Sequence, residues 1–139
     1  GGSSACLFEE HLDLSYDFDT IGKAGSMLGS GAIVFFDDST DWVKAAHALV
    51  RFYAHESCGQ CTPCREGGHW LETTLERLVH KEGLPGDVEI LTAVSHQMTG
   101  RNLCPLGDSI EPFLASVVKR FTDRFEAGVK PTLSVIGTA

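Results

Sequence analysis

At 139 residues the chain has the length of one ordinary domain or two small ones, and its 42% hydrophobic and 22% charged residues mark it as globular rather than disordered. A formal charge of −8 repels phosphate backbones and speaks against nucleic-acid binding. No apolar run nears the roughly 18 residues of a membrane span, and no basic stretch ahead of an apolar one marks a signal peptide.

Residues 1–19 show no sustained period. Gly22, Gly25, Gly29 and Gly31, with Ser26 and Ser30, form a glycine-rich stretch. It leads into the β-branched and aromatic run Ala32–Phe36, which predicts a buried strand ended by Asp37 and Asp38. The glycines precede that strand and no Lys-Ser/Thr follows them. They predict a tight turn rather than a phosphate cradle. From residue 40 the spacing turns helical. Ser39, Thr40 and Asp41 supply capping residues, and Trp42, Ala45, Ala46, Leu49 and Tyr53 recur at helical intervals to about Glu56. After a cysteine loop, Pro63 suits a first helical turn. A second helix to about His80 carries Leu71, Leu75, Leu78 and Val79. Residues 81–86 read as a turn. Asp87 is the expected cap of a third helix bearing Val88, Leu91, Val94 and Met98, stopped by Gly100. A second cysteine loop, 101–107, precedes a fourth helix. Asp108 or Ser109 is its expected cap, and Phe113, Leu114, Val117, Phe121 and Phe125 its inward stripe. The tail after Gly128 is expected to be loose.

Four amphipathic helices with short connections predict a helical bundle. In an up-down bundle the first and third connections fall at the same end, and these are the two cysteine loops.

The five cysteines are Cys6, Cys58, Cys61, Cys64 and Cys104. An odd count without a secretory signal disfavours a disulfide framework and favours metal or redox chemistry. Cys58, Cys61 and Cys64 form a C-x2-C-x2-C run. That run is the local pattern of a [4Fe–4S] cluster, whose fourth thiolate often precedes proline, as Cys104 precedes Pro105. A four-thiolate zinc site is the competing reading, although zinc sites usually pair two C-x2-C hooks. Disulfides or unconnected thiols are the third. Cys6 reads as a small buried hydrophobe.

Around the loops, the amides of Gly59, Gln60 and Thr62 are candidate donors to sulfur. Arg65 and Arg101 either offset cluster charge or pair on the surface with Glu56, Glu66 or Asp108. His55 reads as a helix-end residue facing solvent, and His69 as surface or packing. The pairs Glu9/Glu10 and Asp37/Asp38 read as solvated charges. Trp42, Trp70 and the phenylalanine stripe read as core packing rather than an electron relay.

Residues 55–67 (HESCGQCTPCREG) strongly resemble the cluster-binding signature of the flavoprotein, NADH-binding subunit of respiratory complex I. Residues 100–108 (GRNLCPLGD) resemble that family's second motif. Residues 23–31, with the strand and two aspartates after them, resemble the segment joining its soluble-ligand-binding β-grasp domain to its helical domain. The resemblance implies a mainly α fold: a four-helix cluster-binding bundle over 39–127, preceded at 1–38 by the C-terminal part of a β-grasp domain and followed by a loose tail at 128–139. It implies that Cys58, Cys61, Cys64 and Cys104 hold a [4Fe–4S] cluster. That cluster would take single electrons from FMN, reduced by NADH, and pass them toward quinone as part of an NADH:quinone oxidoreductase. FMN and NADH would bind in an N-terminal domain of the parent subunit that 139 residues do not accommodate, so no FMN- or NADH-binding residue is assigned. Implied partners are the rest of the flavoprotein subunit, a thioredoxin-like [2Fe–2S] subunit and a large iron–sulfur subunit, with no nucleic acid and no membrane insertion. The implied place is the peripheral arm, on the cytoplasmic face of a bacterial inner membrane or the mitochondrial matrix side. Flavin subunits of NAD-linked hydrogenases and formate dehydrogenases share the motifs and remain the alternative, as does a non-redox zinc domain.

Overall fold

The computed structural model describes residues 1–131. A single 3-10 turn, Glu9–His11, precedes the short α1, Phe18–Lys23. The long elements are α2 (Trp42–Glu56), α3 (Thr62–Val79), α4 (Asp87–Met98) and α6 (Ile110–Arg120), with one-turn helices α5 (Pro105–Asp108) and α7 (Thr122–Glu126). The Asp17 carboxylate accepts the Thr20 amide at the start of α1, and Asp41 accepts the Lys44 amide at 3.2 Å at the start of α2. Each satisfies an orphan donor of a first turn. Pro63 lies in the first turn of α3, where its missing N–H costs nothing.

The helices close a ring: α2 packs on α3, α3 on α4, α4 on α6, and α6 on α2. The expected inward stripes meet in its middle. Val50, Leu71, Leu75, Leu91, Leu114, Val117 and Phe125 are fully buried, each worth roughly 1.5–3 kcal/mol of apolar burial. The fold is therefore mainly α, and the bundle is the expected one.

Four details differ from expectation. The last helix is broken into α5, α6 and α7. Pro112 has no N–H to return to the Asp108 carbonyl, so the ladder lapses near Ser109. At Phe121 the backbone leaves helical geometry (φ −122°, ψ 33°), and its ring stacks on Trp42 at 4.6 Å. The run Ala32–Phe36 is not a strand, and no strand occurs among the described residues. Phe35 is 86% exposed. A strand needs a neighbour to take its N–H and C=O groups, and among the described residues only Ala32 O is engaged, by the N-terminal ammonium and the Tyr16 hydroxyl. Trp70 is 57% exposed, because it lies one position ahead of the buried Leu71 and off the core stripe. Asp87 is not the cap of α4. Gly86, at φ 93°, occupies that position, and Asp87 is buried against Arg77.

The Gly83 amide donates to Gly128 O at 3.0 Å, and the Lys130 amide donates to Gly83 O at 2.8 Å. These bonds tie the start of the C-terminal segment to the α3–α4 turn. The remainder of the expected loose tail, 132–139, lies outside the described residues. No helix among the described residues is long and apolar enough to cross a membrane.

Candidate metal centre

The chain enters the first cysteine loop from α2 and leaves it by α3; it enters the second from α4 and leaves by α5. The up-down ring puts both loops at one end. A direct bond joins them: the Leu103 amide donates to Cys61 Sγ at 3.3 Å, across 42 positions of sequence. The loops also meet at Gly107, where a Cβ would stand 3.0 Å from Cys64 Cβ and 2.6 Å from Asn102 Nδ2. A side chain there would force Asn102 to shift.

Asn102 shapes the second loop. Its Nδ2 donates to Met98 O at 2.8 Å and to Asp108 Oδ1 at 2.7 Å, bridging the end of α4 to the end of α5. Its Oδ1 is buried without a hydrogen-bond partner. In the first loop, Gly59 turns the chain at φ 80°, and its carbonyl accepts Arg65 Nη1 at 2.5 Å. Cys61 is the N-cap residue of α3, so its sulfur sits at the N-terminal end of an 18-residue helix.

All four cysteines are free thiols. Cys64 is buried, Cys61 half-buried, and Cys58 and Cys104 are exposed at the rim. Among the described residues no three His, Cys, Asp or Glu side chains converge closely enough to hold one metal ion. Four thiols on two adjoining loops are the donor set of a [4Fe–4S] cube, which presents one iron to each sulfur. The all-thiol donor set and the small-residue contact at Gly107 fit the cube.

The neighbouring groups sort clearly. Arg65 Nε pairs with Glu66 Oε1 at 2.8 Å, the surface pairing that was one of its two expected roles. Arg101 is exposed. His55 faces solvent at the end of α2 and bonds Glu56 at 3.1 Å, as expected. Glu9 and Glu10 pair on the surface with Arg120, and Asp37 holds the turn at Ser39 and Thr40. Cys6 is half-buried against the bundle core. Burial pushes its thiol up, against opposing effects of the Ser116 hydroxyl and the N-terminal charge. A cleft of about 660 Å³ between the N-terminal segment and α6 is lined by Cys6, His11, Ser116 and Arg120 among others, and by none of the four loop cysteines.

Two sulfur-contacting groups escaped the sequence reading. The Gly59 amide points to Ser57 Oγ at 3.3 Å rather than to sulfur. The groups that do reach sulfur are the Leu103 amide and the Ser57 hydroxyl, the latter 3.3 Å from Cys64 Sγ. The one signal for Ser57 is its place directly ahead of Cys58.

A helical bundle with four free thiols on two joined loops at one end defines a class, the module that holds an inorganic cluster between helix ends. Within that class the chain belongs to the family described as the NADH-ubiquinone oxidoreductase-F iron-sulfur binding region, whose model matches residues 44–128. Among its relatives is the F subunit of the NADH-quinone oxidoreductase of Mycobacterium bovis, 42% identical over 130 residues, covering 94% of this chain and 29% of the relative. Another is an F-type subunit of the Rhizobium meliloti enzyme, 43% identical over 131 residues, covering 94% and 31%. The chain thus spans less than a third of the length of these relatives. Among solved structures, an NAD+-reducing [NiFe]-hydrogenase in the air-oxidized state superposes with a TM-score of 0.81 at 29% identity, covering 94% of this chain and 22% of that one.

Proposed function

We propose that the chain is the electron-transfer module of an NADH-oxidising flavoprotein subunit, with Cys58, Cys61, Cys64 and Cys104 as ligands of one [4Fe–4S] cluster. The observation that carries this reading is the Leu103 amide on Cys61 Sγ. It brings the Cys-Pro loop against the C-x2-C-x2-C loop, as a shared cage requires. When bound, such a cluster supplies one-electron chemistry. The chain's own residues then have definite tasks. Cys61 and Cys64 anchor the inner side of the cage, while Cys58 and Cys104 close the rim. Gly107 keeps the two loops in contact, and Asn102 fixes the second loop's curvature.

The names of the relatives support NADH:quinone oxidoreductase as the parent enzyme. Electrons would enter from FMN, reduced by NADH in a separate domain, and leave toward quinone. The exposed apolar run Ile33–Phe36 supports reading 1–38 as the end of a β-grasp domain, since such side chains suit a sheet. We take 39–127 as the cluster domain. The thioredoxin-like [2Fe–2S] subunit and the large iron–sulfur subunit are the proposed neighbours. The peripheral arm, facing cytoplasm or matrix, is the proposed place. The likeness to the NAD+-reducing hydrogenase supports a second parent, in which the same module serves a hydrogenase flavin subunit.

Anaerobic iron and sulfide analysis, with low-temperature EPR of the reduced chain, tests the reading. About four irons per chain and a reducible cluster signal are expected; one tightly held zinc with no sulfide would overturn it.

A further inference from the structure

Ser57 is the C-cap residue of α2, in extended geometry (φ −62°, ψ 123°). Its Oγ accepts the Gly59 amide at 3.3 Å and the Cys64 thiol at 3.3 Å. A hydroxyl has one proton and two lone pairs. With the Gly59 amide on one lone pair, the proton stays free to turn toward sulfur. A thiol donates, but a thiolate only accepts. As a cluster ligand Cys64 would carry no proton, so the bond would reverse, with Ser57 O–H donating to Sγ. Cys64 is only 8% exposed, so water has little access to replace that donor. At Cys58 and Cys104, which are exposed, it does.

We propose that the Ser57 hydroxyl sets the reduction potential of the site by donating to the buried Cys64 sulfur. The inference rests on Cys58, Cys61, Cys64 and Cys104 being the cluster ligands. Reduction adds one electron from a low-potential one-electron donor, and no bond at Ser57 forms or breaks. The added negative charge spreads onto the sulfurs, so a donor there favours the reduced state and raises the potential. The Leu103 amide acts in the same sense on Cys61, but it belongs to the backbone. Ser57 is the side-chain donor that substitution can remove.

The test is a redox titration of the full chain, loaded anaerobically with iron and sulfide and followed by low-temperature EPR. Ser57→Ala should keep its iron and lower the midpoint by about a tenfold change in the reduction equilibrium, about 59 mV for one electron. Ser57→Thr, which keeps the hydroxyl, should restore the parent value. Where Ser57→Ala does not hold iron, Ser57→Thr against the near-isosteric Ser57→Val isolates the hydroxyl, and the valine variant should have the lower potential. A fully loaded Ser57→Ala at the parent potential, or equal potentials for the threonine and valine variants, overturns the proposal alone. A parent chain that takes up no iron and sulfide overturns the ligand assignment, and this proposal with it.

Discussion

The Leu103 amide donates to the sulfur of Cys61, 42 positions earlier in the chain. Through that bond the α4–α5 loop is held against the α2–α3 loop. In the proposed cage Cys104, next to Leu103, is the fourth ligand. Cys104→Ser should lower retained iron by roughly tenfold or more, since lesser changes outside the ligand set already cost about 10–100-fold in affinity. Loss of the cluster should also lower the midpoint of thermal unfolding, because binding at a site split across two loops contributes to folding. Iron analysis and a melt on the same sample check both; parent values in both would remove Cys104 from the ligand set.

Gly107→Ala is the complementary change, because it alters no donor. The added methyl would stand 2.6 Å from Asn102 Nδ2 and 3.0 Å from Cys64 Cβ, separations that force the loops apart. Iron occupancy should fall although every thiol remains. Gly100→Ala is a poor control for this, since Gly100 sits at φ 73° and its own strain would confuse the result. A variant at exposed Glu89 serves better and should hold iron at the parent level.

Cys6 offers the converse test. Its amide donates to Ser116 Oγ at 2.9 Å, and its side chain packs on the bundle core away from both loops. Burial holds its thiol up, and the thiolate is the reactive form. In the metal-free chain, mass-mapped iodoacetamide labelling near neutral pH should reach exposed Cys58 and Cys104 well before Cys6. Cys6→Ser should leave iron content unchanged. Rapid labelling of Cys6, or a large loss of iron on its removal, would contradict its placement.

The helices and both loops were legible because each depends on local spacing: Leu71, Leu75 and Leu78 recur at intervals of four and three residues, and Cys58, Cys61 and Cys64 lie within seven residues. The missed features depend on partners distant in sequence or on side-chain direction. Asp87 has the residue type and position of a cap, but Arg77, ten residues back, claims its carboxylate. Trp70 has a core residue's chemistry, yet neighbouring Leu71 takes the inward position. The strand at Ala32–Phe36 has the right composition and no described neighbour to pair with. The Ser57 contact is local in sequence, but it depends on how the α2 C-cap points a hydroxyl, which residue type alone does not specify.

Of the paired glycines that follow the first cysteine motif, Gly67 has a packing role. Gly67 faces Met98 on α4, where a Cβ would meet Sδ and Cγ at under 3.0 Å; at Gly68 a Cβ would meet Ala54 of α2 only at ordinary contact, 3.6 Å. Met98 is the last residue of α4, so pressure on it is transmitted to the second cysteine loop. Gly67→Ala should destabilise by up to about 2 kcal/mol, an overpacking cost of about 1–3 kcal/mol reduced by about 1 kcal/mol of helix propensity gained. Met98→Ala alone opens a cavity, but in combination with Gly67→Ala it should cost less than the sum of the two. Denaturant melts of the four-member cycle check this coupling. Strict additivity would mean that the helices shift apart at no cost to Met98.

The pH dependence of stability should carry the signature of Asp87. Burial pushes its carboxyl up, but the Arg77 hydrogen bonds, the Leu84 amide and the Arg77 charge together outweigh that and hold it below the usual carboxylate range. Arg77 Nη2 lies 2.7 Å from Oδ1 and Nε 3.1 Å from Oδ2, with the Leu84 amide 2.8 Å from Oδ2. A carboxyl lowered on folding binds fewer protons folded than unfolded. Its contribution is therefore full above the unfolded value of about 3.9 and is lost as pH falls through the lower folded value. Breaking a fully buried pair costs roughly 3–5 kcal/mol. Arg77 keeps 32% of its side chain exposed, and solvent screening there reduces the expected loss for Asp87→Ala to about 2 kcal/mol. Urea melts of parent and variant across roughly pH 1–7 check both statements: the two should differ near neutrality and converge toward the acid end, because Asp87 of the parent is then protonated. A constant gap at every pH would assign the loss to packing at the α3–α4 turn instead of to the charge.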